Sequence, residues 1–303
     1  MNVVLLSGGV GGARFARGVQ AALAPGELTV IGNVGDDVEV LGLRVSPDLD
    51  SVLYALADLN DEERGWGRAG ETWVALASAS GWGGEDWFRL GDLDLGLHLV
   101  RTQALRAGRL LSEVTADLAS AAGLATRIVP ATDDRLRTQV VTPDGTFGFQ
   151  EWFVGRGHRD EVDAVEFEGA SDAAPAPTVV DALAAADAIL IAPSNPYVSI
   201  QPILAVNAVR SALANRSVRC VAVSPLIGGR AVKGPADRML SRMAGGTQPR
   251  HVAECYEGLI DVLVIDESDA PAVVGVPTVS TSTLMSDLEA ARRLAETALE
   301  AAV

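Results

Sequence analysis

The chain opens MNVVLLSGGVGGARFARGVQAAL, and this stretch constrains the fold more than any other. Val3 to Leu6 is a short apolar run that reads as a buried strand. Four glycines follow, and Ala13 to Leu23 carries helical periodicity until Pro25 and Gly26 end it. Leu28 to Ile31 gives a second strand, so the first thirty or so residues read as a βαβ unit, which needs a parallel sheet covered by helices. The same alternation continues. Strands are expected at Thr126 to Val129, Ala188 to Ile191, Arg219 to Val223 and Val262 to Ile265. Helices are expected at Leu110 to Ala122, Val179 to Ala186, Ile203 to Leu213, Ala236 to Met243 and His251 to Glu257, with an amphipathic closing helix in SDLEAARRLAETALEAA. The fold class predicted is α/β, Rossmann-like, with a mostly parallel sheet and helices on both faces. One domain is expected over residues 1–303, with a Trp-rich helical insertion or lid at about 58–109 that holds Trp66, Trp73, Trp82 and Trp87. Pro-Asp-Gly in TQVVTPDGTFGFQEWFV predicts a hairpin.

Composition excludes several function classes. The formal net charge of −16 argues against a nucleic-acid polymer as partner, because a phosphate backbone needs a basic face. No uncharged apolar run reaches about 18 residues, and the N-terminus does not read as a signal peptide, so a cytoplasmic protein without a membrane span is expected. Cys220 and Cys255 are the only cysteines and lie in no zinc or redox spacing. A small anionic ligand remains compatible with the charge, since amides, one or two cations and a metal can hold phosphate locally. Of 24 basic residues only Lys233 is lysine, which suggests that a compact ammonium is needed there.

Several segments fall where an α/β sheet places its ligands. Gly8, Gly9, Val10, Gly11 and Gly12 lie between a strand and a helix start, where backbone N–H groups face a phosphate. The pattern is neither a P-loop nor the dinucleotide fingerprint. The second strand runs into IGNVGDDVEVLGLRVSPDLDSVLYAL, with Asn33 and then Asp36, Asp37, Asp48 and Asp50. Four carboxylates opposite a glycine turn suit Mg²⁺ shared with phosphate oxygens; singly, Asp48 or Asp50 also fits the role of a helix cap before Val52 to Ala57. Ser194, Asn195 and Pro196 form a polar turn after a strand, and Gly228, Gly229 and Lys233 lie in a glycine-rich segment after another. Trp87, Phe88 and Arg89 are candidates to clamp a planar ring. His98 is read as core, surface or ligand contact, and His158 as surface.

Six blocks in this order, LSGGVGGARF, IGNVGDDVEVLGLRVSPDLDSVLYAL, WFRLGDLDLGLHLVRT, FQEWFV, APSNPYVSIQPIL and SPLIGGRAVKGPADRM, resemble the 2-phospho-L-lactate transferase family of deazaflavin coenzyme F-420 biosynthesis over nearly the whole chain. The resemblance implies a Mg²⁺-dependent transfer of a phosphoenolpyruvyl or 2-phospho-L-lactyl group. The donor is guanosine diphosphate-linked, the acceptor is the terminal ribityl hydroxyl of the deazaflavin Fo, and GMP is released. The Arg- and Ala-rich composition points to the phosphoenolpyruvyl branch. By the same resemblance Asp48 and Arg89 match positions on the Fo side, and the glycine turn, the SNP turn and GGRAVKG match the nucleotide side. Asp36, Asp37, Asp48 and Asp50 are the candidate metal ligands, and Asp48 or Asp50 would orient or deprotonate the attacking hydroxyl. A homodimer is expected. In ILAVNAVRSAL the chain lacks a Pro-Gly that the family pattern would place after ILAV. The rival readings are a non-enzymatic sugar-nucleotide-binding regulator, which would need no deazaflavin pocket, and a nicotinamide-dependent dehydrogenase, which the glycine spacing disfavours.

Overall fold

The computed structural model describes residues 1–271 and 274–303. The chain begins with β1 (Val3–Ser7), α1 (Gly9–Ala22) and β2 (Leu28–Gly32), followed by a small hairpin of β3 (Val38–Val40) and β4 (Leu43–Val45). Next come α2 (Pro47–Leu56), α3 (Val74–Gly81), α4 (Asp92–Arg106) and α5 (Leu111–Ala121), then β5 (Arg127–Pro130), β6 (Arg137–Thr142), β7 (Gly145–Gly148) and β8 (Ala164–Glu168). The second half holds α6 (Val179–Ala184), β9 (Ala188–Ile191), α7 (Gln201–Leu204), α8 (Asn207–Ala214), β10 (Cys220–Val223), β11 (Leu226–Ile227) and β12 (Arg230–Ala231). It closes with α9 (Ala236–Met243), α10 (Pro249–Glu254), β13 (Val262–Asp266), β14 (Thr278–Thr281) and α11 (Leu288–Ala301). Two π-helical turns, Glu151–Gly155 and Pro196–Ile200, lie beside the site described below.

Seven parallel strands form the central sheet in the order β14-β13-β10-β9-β1-β2-β5. Every residue of β1, β2, β9, β10 and β13 is buried, as expected of parallel strands covered by helices on both faces. The chain leaves β1 toward β2 and β5, then returns to the other side of β1 at β9. The order therefore reverses between β1 and β9, and such a switch point opens a crevice beyond the carboxyl ends of the two strands. Ser7 ends β1 and Ile191 ends β9, which places the glycine turn and the Ser194–Pro196 turn side by side at that crevice. The expected α/β architecture is thus the observed one.

Helix α1 lies between α2 and α11. It touches α11 closely because Gly18 has no side chain: a Cβ there would collide with the Ala291 backbone. Asp287 starts α11 by accepting a hydrogen bond from the Ala290 amide at 2.8 Å. The helix expected over Ile203 to Leu213 is instead two pieces, α7 and α8, with Val206 extended at the start of the second. The chain turns there without a Pro-Gly. The region 58–109 carries α3, α4 and an antiparallel bridge between Asn60 and Arg68. The Pro-Asp-Gly hairpin forms as β6 and β7, and β8 joins it as a third antiparallel strand that periodicity did not signal. No helix is long and apolar enough to cross a membrane among the described residues.

Candidate active site

The glycine turn is tighter than a loop: α1 begins at Gly9, with Gly8 extended as its N-cap. Only Gly9 needs positive φ (+69°). The other glycines serve close approach. A Cβ on Gly8 would lie 2.7 Å from Asp48 Oδ2 and 2.8 Å from the Ser199 carbonyl, and one on Gly11 would lie 2.9 Å from the Pro193 carbonyl. One on Gly12 would lie 2.7 Å from Ser194 Oγ, which itself donates to the Gly8 carbonyl at 2.7 Å. The bare backbone lets the start of α1 nest against Asp48 on one side and the Ser194–Pro196 turn on the other.

Asp48 sits in the first turn of α2. Ser46 is the N-cap, so neither Asp48 nor Asp50 caps this helix. The Asp48 carboxylate accepts from the Gly9 amide at the start of α1, where the helix end carries partial positive charge. It also accepts from Asn33 Nδ2 at 2.9 Å. Asn33 is fully buried and holds the whole arrangement: the same amide donates to Asp36 Oδ1 at 3.3 Å and to the Val198 carbonyl at 3.2 Å, while its Oδ1 accepts from the Gly35 amide at 2.7 Å. Gln150 Nε2 donates to Asp36 Oδ2 at 3.2 Å. Asp36 and Asp48 are thus neighbouring buried carboxylates on one amide. Burial pushes the Asp48 carboxyl up to about 6, the hydrogen bonds from Asn33 and Gly9 opposing the rise. Burial, and then the charge of Asp48, hold Asp36 well above the usual carboxylate range.

The four aspartates do not converge as one cluster. Residues two apart on a helix point in different directions, and Asp50 turns to Arg101 on α4, whose Nη1 donates to its Oδ2 at 2.9 Å in a buried two-pronged pair. Asp37 points past Asp36 to Ser46, whose hydroxyl donates to Oδ2 at 2.9 Å; its buried Oδ1 has no partner, and burial pushes the carboxyl up to about 7. Among the described residues no group of three His, Cys, Asp or Glu side chains could hold a metal ion. The donor set that is present, Asp36 with Asp48, matches the one or two carboxylates through which Mg²⁺ is held when phosphate and water fill its other positions.

Two cavities of about 430 Å³ each meet at this centre. The first is walled by Asp36, Asp48, Asp50, Tyr54, Phe88, Arg89 and Phe149. The second is walled by Gly8 to Gly11, Ser194, Asn195, Lys233 and Arg14. Gly9, Val10, Trp66 and Phe153 line both, so the two share an opening over the start of α1. The insertion supplies Trp66 as part of a stack in which the Arg64 guanidinium lies 4.8 Å from the Trp66 ring and 5.1 Å from that of Trp73. Arg89 lies 4.8 Å over the same Trp73 ring. Lys233 extends toward Gly65, where a Cβ would collide with its Nζ.

The sequence candidates separate accordingly. Phe88 and Arg89 line the first cavity, whereas Trp87 faces a third one and donates to Glu85 at 2.7 Å. Gly228 and Gly229 are the two-residue turn between β11 and β12, with φ of +57° and +72°, and the Gly228 amide is spent on Asp269. They do not line the second cavity; Ala231 to Ala236 beside them do. Asn195 lines it while its Oδ1 accepts from the Tyr197 amide, and Pro196 is buried below. His98 is buried between the first cavity and the Asp50–Arg101 pair, and burial pushes it down to about 4, so its imidazole is neutral at pH 7. His158 is not a free surface residue: it stacks on Phe153 at 4.9 Å and lines the second cavity. Periodicity gave no sign of Arg14, one turn along α1 from Val10, or of Tyr54, one turn along α2 from Asp50, although both spacings are visible once the helix starts are known.

Comparison with known proteins shows the family. Residues 3–298 match the family model described as 2-phospho-L-lactate transferase CofD. A phosphoenolpyruvate transferase of Kitasatospora aureofaciens is 45% identical over 99% of this chain and 97% of its own length. One of Streptomyces coelicolor is 43% identical over 99% and 97%. A crystal structure of a Bacillus halodurans protein superposes with a TM-score of 0.66 at 19% identity, covering 98% of this chain and 99% of that one, which shows the shared fold.

Proposed function

Because the chain belongs to the 2-phospho-L-lactate transferase CofD family, a transferase family of coenzyme F-420 biosynthesis, we propose that it moves a phosphoenolpyruvyl group from a guanosine diphosphate-linked donor to the terminal hydroxyl of Fo and releases GMP. The observation that carries this reading is the position of Asp48. Its carboxylate is tied to the Gly9 amide at the mouth of the glycine-lined cavity and faces the aromatic cavity as well. A group there touches a diphosphate held on one side and an alcohol held on the other.

The donor's phosphates lie at the start of α1, against the bare amides of Val10 and Gly11 and within reach of Lys233 and Arg14. Fo lies in the first cavity, its flat ring among Phe88, Phe149 and Tyr54 and its ribityl end toward Asp48. The Fo hydroxyl oxygen attacks the phosphorus that bears the three-carbon acid. The bond from that phosphorus to the oxygen bridging to GMP breaks, GMP leaves with the bridging oxygen, and the hydroxyl proton passes to Asp48. A carboxyl lifted to about 6 is a better proton acceptor than an ordinary one while still largely ionised at pH 7. Asn33 fixes its direction, and the Asp50–Arg101 pair anchors the helix that carries it. Mg²⁺ held by Asp36 would neutralise charge on the transferred group, leaving the Asp48 carboxylate to take the proton. Trp66 and Phe153, at the shared opening, exclude water from the reacting atoms.

Incubation of the pure protein with Fo, the guanosine diphosphate ester of phosphoenolpyruvate and Mg²⁺, followed by chromatography, tests the reading. GMP and a deazaflavin adduct should appear in equal amounts. Donor binding with neither product would leave a nucleotide-binding regulator, and the transferase reading would fall.

A further inference from the structure

A third cavity, of about 340 Å³, lies on the far side of Asp36 and Gln150. Three arginines converge on it: Arg44 on β4, Arg135 just before β6 and Arg137 at its start. Arg44 and Arg135 are close enough to act on Arg137 as like charges. None of the three belongs to an ion pair among the described residues, although nine other arginines do. Among the described residues the one hydrogen bond of the Arg137 side chain is to the neighbouring Leu136 carbonyl at 2.8 Å. Of the carboxylates in the same wall, Asp36 is occupied by Asn33 and Gln150, and Asp37 accepts from Ser46 while its charge acts on Arg137 without a direct ion pair. Glu39 and Glu151 are exposed at the rim. In a chain with 40 acidic residues against 24 basic ones, this pocket presents three guanidinium groups with no ion-pair partner among the described residues.

The cavity shares Asp36, Phe149 and Gln150 with the first one, so it adjoins the point where the transferred phosphorus sits. We propose that Arg44, Arg135 and Arg137 receive the carboxylate of the three-carbon acid carried by the donor and so select a phosphorylated acid over bare phosphate; this rests on the transfer reading above. Planar guanidinium forks match a carboxylate in two-pronged geometry, which a lysine would not, and the acid end of the group lies only a few bonds from its phosphorus. The glycine-lined cavity then reads the nucleotide and the arginine cavity reads the acid.

Isothermal titration of the full chain with GDP, with phosphoenolpyruvate and with inorganic phosphate tests the two halves separately. Phosphoenolpyruvate should bind the wild-type protein about tenfold tighter than inorganic phosphate. Arg137→Gln and Arg44→Gln should each weaken phosphoenolpyruvate about tenfold while GDP affinity stays within about twofold. Unchanged phosphoenolpyruvate affinity in both variants, or equal affinity for the two small anions, overturns the assignment. Loss of phosphoenolpyruvate binding in the variants, with no GDP binding to the wild type, supports the arginine site and removes the nucleotide half of the transfer reading.

Discussion

The two cavities that meet over the start of α1 are built from opposite materials. The one that holds Asp48 sets titratable side chains among aromatic ones, and a web of buried hydrogen bonds fixes the titratable groups: Asn33 on Asp36 and Asp48, Arg101 on Asp50, Tyr54 on Asp94 at 2.6 Å. Its neighbour is walled by the glycine turn, small polar residues and a few apolar and aromatic side chains, with Lys233 and Arg14 as its cations. The first carries chemistry because its groups are costly to bury charged, and burial is what moves their proton affinities. The second carries recognition because side chains are missing, which leaves amides exposed and lets α1 approach β9. Changes in the first should therefore alter rate and pH dependence, and changes in the second should alter affinity and packing.

The largest effect that tests this contrast is Asp48→Asn. It is expected to lower turnover by about 10³-fold, while GDP affinity, measured by titration, changes little. A variant that turns over at the wild-type rate would take Asp48 out of the chemistry.

The second test is stability against pH in metal-free buffer. The folded-state pKa of Asp48 is raised from 3.8 to about 6, so between those values the native state binds more protons than the unfolded chain. Stability should then fall as pH rises through that window, with a contribution of about 3 kcal/mol from this group. Asp36 and Asp37 are raised too and act in the same direction. Urea melts from about pH 4 to 8 should show the slope, and Asp48→Asn should flatten it. Adding Mg²⁺ should raise the melting temperature near pH 8 and not near pH 4, where the carboxylates hold protons. A profile that rises with pH would contradict the burial argument.

On the other side of the contrast, Gly8→Ala should destabilise the fold by about 1–3 kcal/mol, because its Cβ presses on Asp48 and on the Ser199 carbonyl. This one substitution should depress both melting temperature and turnover, since it touches both cavities. The smallest effect expected is from Lys233→Ala: about tenfold weaker GDP binding, with Fo binding unchanged by fluorescence titration. Equal loss for the two ligands would merge the cavities into one functional unit and blunt the distinction.

Much of this was legible in the residues. Strand Ala188 to Ile191 and helix Ala236 to Met243 stand where the sequence places them, the strand because its apolar run is too short for a buried helix and the helix because its apolar residues recur at helical spacing. The hairpin of β3 and β4, the strand β8 and the break between α7 and α8 were not legible, since each is short, and β8 is held by β6, which lies well before it in the chain. The GG pair at Gly228 reads like a phosphate turn, and only the pairing of Leu226 with Ala231 identifies it as a hairpin.

The sequence alone determined the βαβ start, the parallel sheet and the family, because local periodicity and ordered motif blocks are written in consecutive residues. Tertiary structure decided which aspartate does what. Asp36, Asp37, Asp48 and Asp50 look alike in a row of letters, but Gln150 with Asn33 claims Asp36, Ser46 claims Asp37, the Gly9 amide with Asn33 claims Asp48, and Arg101 claims Asp50. A carboxylate's role follows from its desolvation and its partners, and both are set by chain segments that meet only when the sheet is assembled.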